Sequence, residues 1–256
     1  MEMQQLGLQE EEPTNILEEL PEELRHKILG PLTPNELNSA ALVCRAWRIM
    51  AEDPSLWRDY GIVVRRQEDL GPEGRLSKML RLDRLRKTLT VKIDGEFGAL
   101  LTIPEASIQA MLHHQNIRTI HLYHTTLPAV PPSLLATLLT RMEVVNLWNS
   151  RLTPSQLQEM FSTITTSNTI RLKELNLLGV DLSSMDSTPL ATSVTKLEVV
   201  DLRYTRLTPS QVEEIFTTIT TSDNIKLKEL TLRGRLLSSV APNLLSRARS
   251  VCTIIP

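Results

Sequence analysis

Residues 142–181 align with residues 197–236 at an offset of 55, and 24 of the 40 positions are identical. Both copies carry Arg-Leu-Thr-Pro-Ser-Gln, then Thr-Ile-Thr-Thr-Ser, then Leu-Lys-Glu-Leu. A chain that repeats itself so closely is constrained to stack copies of one supersecondary unit, because a single unit cannot bury its own apolar face. The 55-residue unit is itself double. Apolar residues recur in one spacing at Ile117/Ile120/Leu122, Met142/Val145/Leu147, Leu172/Leu175/Leu177, Leu197/Val200/Leu202 and Leu227/Leu230/Leu232. A further leucine follows five residues after each third position, at Leu127, Leu152, Leu182, Leu207 and Leu237. Successive frames lie 25, 30, 25 and 30 residues apart.

Within a frame the apolar residues alternate, which predicts a short strand with leucines facing inward. Between frames the spacing predicts a helix. In Thr153-Pro-Ser-Gln156 the threonine suits the N-cap, the proline suits the first helical position, and the glutamine completes a capping box. Leu157, Met160, Phe161 and Ile164 then recur at helical spacing, as do Val212, Ile215, Phe216 and Ile219 after the second box, Thr208 to Gln211. The alternate helices, near Leu190 and Leu244, read as shorter. A sixth frame is expected at Cys252 to Ile255, and Leu89, Val91 and Ile93 are expected to cap the other end as a strand. With 44 leucines in 256 residues, the pattern resembles leucine-rich repeats. The expected class is α/β: a short curved solenoid over residues 93–256, with parallel strands on the concave face and helices on the convex face.

The preceding region has another character. Residues 15–60 read as short helices separated by Pro21, Pro31, Pro34 and Pro54. Leu17, Leu20, Leu24, Ile28 and Leu29 fit one helical stripe, Thr33 to Glu36 is another capping box, and residues 40–51 read as a third helix. Residues 61–92 read as a basic helical linker, and residues 1–14 as a disordered acidic tail.

Composition narrows the function classes. Formal net charge is −2, so no global excess of charge points to nucleic acid. Residues 58–92 carry a local net +5, but leucines interleave with the basic residues as in a helix packed on one side, which argues against nucleic acid. No stretch is apolar and long enough for a membrane span, and no signal-peptide pattern opens the chain. Two cysteines make no disulfide framework, which suits a reduced intracellular setting. Four of the five histidines fall between His113 and His124, but their spacing suits no metal site. No P-loop, nucleophile elbow, zincin helix or kinase signature occurs. The expectation is a non-catalytic protein without metal or cofactor.

Leu20-Pro-Glu-Glu-Leu-Arg-His-Lys-Ile-Leu29, then Leu42-Val-Cys-Arg-Ala-Trp47, then Asp53-Pro-Ser-Leu-Trp57 resembles the F-box, landmark by landmark and in order. An F-box followed by leucine-rich repeats resembles the F-box/leucine-rich-repeat family. The resemblance implies a substrate receptor of a cullin–RING ubiquitin ligase (the Skp–cullin–F-box class). In that family the F-box docks on a Skp-type adaptor and, through it, on cullin and RING subunits, while the repeats hold a protein substrate. The family pattern places Leu17, Leu20, Pro21, Leu29, Glu36, Val43, Cys44 and Trp47 at the adaptor contact. Leu24 and Trp57 are instead assigned to the helical core. The location so implied is cytoplasmic, nuclear or both.

Residues alternating with the inward leucines must point to the open face of the sheet. From these, His121, Tyr123, Asn146, Trp148, Asn176, Leu178, Asp201, Arg203 and Arg233 are the candidate substrate contacts. One end of this surface is aromatic and the other is charged. The alternative is an interaction scaffold with no ligase role.

Overall fold

The computed structural model describes residues 20–96, 98–167 and 169–256, and the chain divides into two compact units between Arg58 and Asp59. Leu17 and the expected acidic tail lie outside the described residues.

The first unit is helical: α1 (Glu22–Leu29), α2 (Pro34–Ala40) and α3 (Arg45–Ala51). Thr33 caps α2 in a complete capping box. Its hydroxyl accepts from the Glu36 N–H, and Glu36 Oε2 accepts from the Thr33 N–H at 2.7 Å. The core is small, made of Leu29, Leu37, Ala40, Ala46, Met50, Ala51 and Trp57. The Trp57 indole N–H donates to the Ala51 carbonyl at 2.6 Å, which satisfies its one polar group inside that core. Trp57 is thus a core residue, as expected. Leu24 is exposed rather than core, because α1 begins at Glu22 and turns that side chain outward. The expected helix over residues 40–51 is also corrected. Residues 41–43 form a turn, held by Leu42 N–H to the Ser39 carbonyl and Val43 N–H to the Ala40 carbonyl, and the helix starts only at Arg45.

The second unit has β1 (Ile62–Val64), α4 (Arg75–Leu80), β2 (Thr90–Asp94), β3 (Leu101–Thr102), α5 (Glu105–His113), β4 (Thr119–Tyr123), β5 (Thr125–Thr126) and α6 (Pro132–Arg141). It continues with β6 (Val144–Asn146), α7 (Pro154–Thr166), β7 (Glu174–Asn176), α8 (Ser187–Lys196), β8 (Val199–Asp201) and α9 (Pro209–Thr221). It closes with β9 (Glu229–Thr231), α10 (Gly234–Leu237), α11 (Pro242–Val251) and β10 (Thr253–Ile255). Eight strands form one parallel sheet in the order β1-β2-β4-β6-β7-β8-β9-β10, and β3 pairs with β5 beside it. Parallel strands need a crossover, and the intervening helices supply it.

Each frame lands in register with the next: Ile120, Val145, Leu175, Val200 and Leu230 occupy one row across the sheet. All five are buried, together with Leu122, Leu147, Leu177, Leu202 and Leu232. Burying each such side chain contributes about 1.5–3 kcal/mol before entropy is counted. Phe161 of α7 and Phe216 of α9 fill equivalent places behind the strands. The expected sixth frame is present as β10, with Cys252 and Ile254 buried. α7 and α9 have 13 residues, against 10 in α6, α8 and α11, as the alternating frame spacing predicts. Leu152, grouped with the inward leucines, is only half-buried.

The linker over residues 61–92 is corrected. β1 and β2 pair as full members of the main sheet, Ile62 beside Val91 and Val91 beside Ile120, each 29 residues from the next. The array therefore starts near Ile62, β2 is not its end, and Leu89 lies outside the strand.

Two polar devices join neighbouring repeats. Gln156 is buried, and its Nε2 donates to the Leu127 and Val130 carbonyls at 2.7 Å each. Gln211 repeats the bond to Leu182 and Met185. The residues before β4, β6, β7, β8 and β9 form a ladder of alternating sign: Arg118, Glu143, Lys173, Glu198 and Lys228. Glu143 pairs with Arg118 at 3.6 Å and with Lys173 at 3.1 Å, and Glu198 pairs with Lys228 at 2.5 Å. The bond to Lys228 holds the Glu198 carboxyl below its ordinary value, and the bond to Glu143 raises Lys173.

Candidate functional site

Two surfaces carry the sequence candidates. In the helical unit, the turn between α2 and α3 presents Leu42 at 80% exposure and Val43 at 66%. Leu24, Ile28 and Ile49 are also exposed. A short helical unit that leaves its large aliphatic side chains in water is poorly served as an isolated fold. Of the expected adaptor contacts, Pro21 and Val43 are exposed, and Leu20, Cys44 and Trp47 are half-buried. Cys44 heads α3 as its N-cap residue. Glu36 is exposed, but its carboxylate completes the α2 cap. The Thr33 backbone bond, then the hydroxyl bond, lower its pKa. Leu29 is only 1% exposed and packs inside the unit, so its place at the contact is corrected to a core role. Sequence reasoning missed Ile49, on α3, and left Leu42 out of the contact set because Leu-Val-Cys reads as helix when it is turn.

In the sheet unit, the open face has an aromatic part and a charged part. The aromatic part is built on β2, β4 and β6. Tyr123 meets Trp148 edge-on at 5.6 Å between ring centroids, and His121 lies 5.4 Å from Tyr123. His124 adds a third contact, 5.0 Å from Trp148. Lys92 Nζ sits 4.8 Å over the Tyr123 ring while pairing with Asp94 at 3.0 Å. Burial, aided by the Lys92 charge, lowers the His121 pKa. Burial likewise raises the Tyr123 pKa, so its hydroxyl remains a donor. The hydroxyl lies 3.1 Å from His121 Nδ1, which accepts from it when the neutral ring carries its proton on Nε2.

The charged part is built on β7, β8 and β9. Arg203 grips Asp201 through Nε and Nη2, the latter at 2.7 Å. Arg233 lies 5.3 Å over the ring of Tyr204, which is 62% exposed. Tyr204, Lys92 and His124 were missed. The signal for Tyr204 was available, since it stands where the first copy has Asn149.

Three expected contact residues also hold the backbone after their strands. Asn146 Oδ1 accepts from the Trp148 N–H, Asn176 Oδ1 from the Leu178 N–H, and Asp201 Oδ1 from the Arg203 N–H. Each side chain folds onto its own backbone two residues on and closes the turn after its strand. Asp201 is buried as a result, whereas Trp148, Arg203 and Arg233 are exposed and Leu178 is half-buried. Of the clustered histidines, His114 is buried with Nε2 3.0 Å from the Leu85 carbonyl. Among the described residues, no three His, Cys, Asp or Glu side chains are grouped to hold a metal ion, and no helix is long and apolar enough to cross a membrane.

Comparison with known families bears on the first surface. A family model described as F-box-like matches residues 17–62. The helical unit with the exposed turn is therefore an F-box-like domain. Domains of that class typically bind Skp-type adaptors, and proteins that carry them are generally non-catalytic substrate receptors.

Proposed function

We propose that this chain is the substrate receptor of a cullin–RING ubiquitin ligase. The F-box-like unit docks on a Skp-type adaptor, and the sheet unit, a leucine-rich-repeat array, holds a protein substrate. Ubiquitin transfer is the work of the partner subunits, and this chain contributes proximity. The observation that carries the reading is the exposure of Leu42 and Val43 on the α2–α3 turn of a domain that matches the F-box-like family. An apolar pair held outward by backbone hydrogen bonds is a preorganised anchor for a helical partner.

The test is co-purification of the full chain with the adaptor. Wild type should retain it. Leu42→Asp with Val43→Asp should weaken binding at least about tenfold, since charge is placed in a desolvated contact. Trp47→Ala, half-buried beside the turn, should weaken it less. A folded wild-type chain that ignores the adaptor would leave an interaction scaffold with no ligase role.

A further inference from the structure

The internal duplication supplies a control within one chain, because two aligned copies of one sequence can be compared position by position. Their core-facing differences stay within a chemical class: Leu157 against Val212, Met160 against Ile215. The differences at the strand ends do not. Trp148 becomes Arg203, Asn149 becomes Tyr204, Leu178 becomes Arg233 and Val180 becomes Arg235. An acid is lost where Asp181 becomes Leu236. In the first copy the rim charges are Arg151 and Asp181, which cancel. In the second, Asp201, Arg203, Arg206, Arg233 and Arg235 carry a formal +3; Arg206 pairs with Asp181 of the first copy at 3.2 Å and Arg203 with Asp201, which leaves Arg233 and Arg235 as the arginines outside those two pairs. The helix side moves the other way, with Gln158 becoming Glu213. The basicity that the second copy gains over the first is therefore confined to its rim.

That rim is shaped as well as charged. His124, Asn149, Gly179 and Tyr204 follow successive strands with positive φ, and the left-handed turns leave a trough along the strand ends. At Gly179, φ 77°, a Cβ would fall 1.9 Å from Asn149 Oδ1, so a larger residue would have to displace the Asn149 amide. The trough runs on through Tyr204 and Arg206 into a second hollow of about 400 Å³, closed by Arg233, Arg235 and Leu236. Tyr204 sits at the junction, left-handed at φ 56°, an unfavourable setting for an aromatic residue. Its ring is exposed with the Arg233 guanidinium over it.

We propose that the second copy's rim, with Tyr204, Arg233 and Arg235, is the selective part of the receptor surface and takes an extended acidic segment of a protein partner. The inference rests on the receptor reading above. Arginine forks match carboxylate and phosphate oxygens alike, so the shared chemistry is a run of anionic oxygens on a peptide. The Tyr204 ring lies under the Arg233 guanidinium at the mouth of the hollow, whereas Asp201 takes up the Nε and Nη2 donors of Arg203. The first copy, neutral and aromatic at matching places, provides no such attraction.

The experiment is fluorescence anisotropy of the full chain with two labelled probes, decaglutamate and a Ser-Gly decapeptide phosphorylated on its serines. The unphosphorylated decapeptide serves as the blank. Wild type should bind at least one acidic probe, less tightly as salt rises. The ratio of the two affinities separates carboxylate from phosphate as the source. The variant Tyr204→Asn/Arg233→Leu/Arg235→Ala puts first-copy residues at two aligned positions, and at residue 204 the backbone is left-handed in both copies, φ 51° at Asn149 and 56° at Tyr204. It should melt near wild type and bind at least about tenfold more weakly. Arg81→Ala/Arg86→Ala, in the other basic segment, should stay within about twofold of wild type. Wild type that ignores both acidic probes, a rim variant that binds as wild type does, or a loss caused by the Arg81/Arg86 substitutions would each overturn the proposal. Adaptor co-purification from the same preparations is read separately. Its failure in wild type would remove the receptor reading and leave the anisotropy result standing on its own.

Discussion

The two units treat their large apolar residues in opposite ways. Leu24, Ile28, Leu42, Val43 and Ile49 stand exposed in a helical unit of under 60 residues. The sheet unit, more than three times as long, exposes Leu82, Trp148, Tyr204, Val251 and Ile255 among its described residues. The difference follows from architecture. A row of strand–helix units buries apolar faces against its own neighbours, so its stability grows with each repeat. Three short helices enclose too little volume to bury all their leucines, and what is left outside is available to a partner. The sheet unit thus buries its apolar faces within itself, while the helical unit leaves an apolar surface open.

The sharpest way to break this contrast is to damage the self-sufficient unit. Phe161→Ala should destabilise it by about 3–5 kcal/mol, and Phe216→Ala by a similar amount, since both rings are buried in equivalent repeats. Thermal melting would show the loss, and adaptor binding measured well below the transition should be unchanged. Loss of adaptor binding with either substitution would mean that the helical unit depends on the sheet for its fold.

A smaller effect should come from the joint between repeats. Gln156→Ala leaves the Leu127 and Val130 carbonyls without their side-chain donor inside the array, at a cost of about 1–3 kcal/mol. Gln211→Ala should match it at Leu182 and Met185. Urea titration would compare the two directly. Unequal losses would show that the copies, though alike in sequence, are not energetically equivalent.

The smallest expected effect is on pH dependence. His121 has a folded-state pKa below its ordinary value of about 6.5. Its contribution to stability is therefore complete above that value and falls away as pH drops through it and on through the lowered folded pKa. His121→Gln should flatten the melting temperature against pH in this range. An unchanged profile would show that the aromatic cluster does not restrain the ring.

The sequence made the repeats legible because their signals are local. Alternation over six residues, the Thr-Pro-Ser-Gln boxes and the helical spacing around Phe161 each follow from short-range geometry. β1 escaped, and β2 was read only as an end cap, because their frames begin on polar residues, Asp59 and Thr88, so the apolar triplet is incomplete although Ile62, Val64, Val91 and Ile93 are all buried. At the open face, parity located the surface but not its chemistry. It could not show that Asn146, Asn176 and Asp201 spend their oxygens on their own backbones. That depends on side-chain torsions two residues before a turn, which no periodicity reports. The Leu42–Val43 turn was hidden for a related reason: its residues favour burial, and only the shortness of α2 and α3 forces them out.

The ladder of alternating charge before the strands has a consequence for how such an array can change length. Removing one repeat would bring two like charges together, Arg118 beside Lys173 or Glu143 beside Glu198, and would join two helices of the same length class. Removing two would restore both alternations and leave every seam as it was. The parity of the ladder thus acts as a reading frame written in three dimensions. The array can grow or shrink in even steps, and the 55-residue block, not the single repeat, is the piece that duplication can hand on intact.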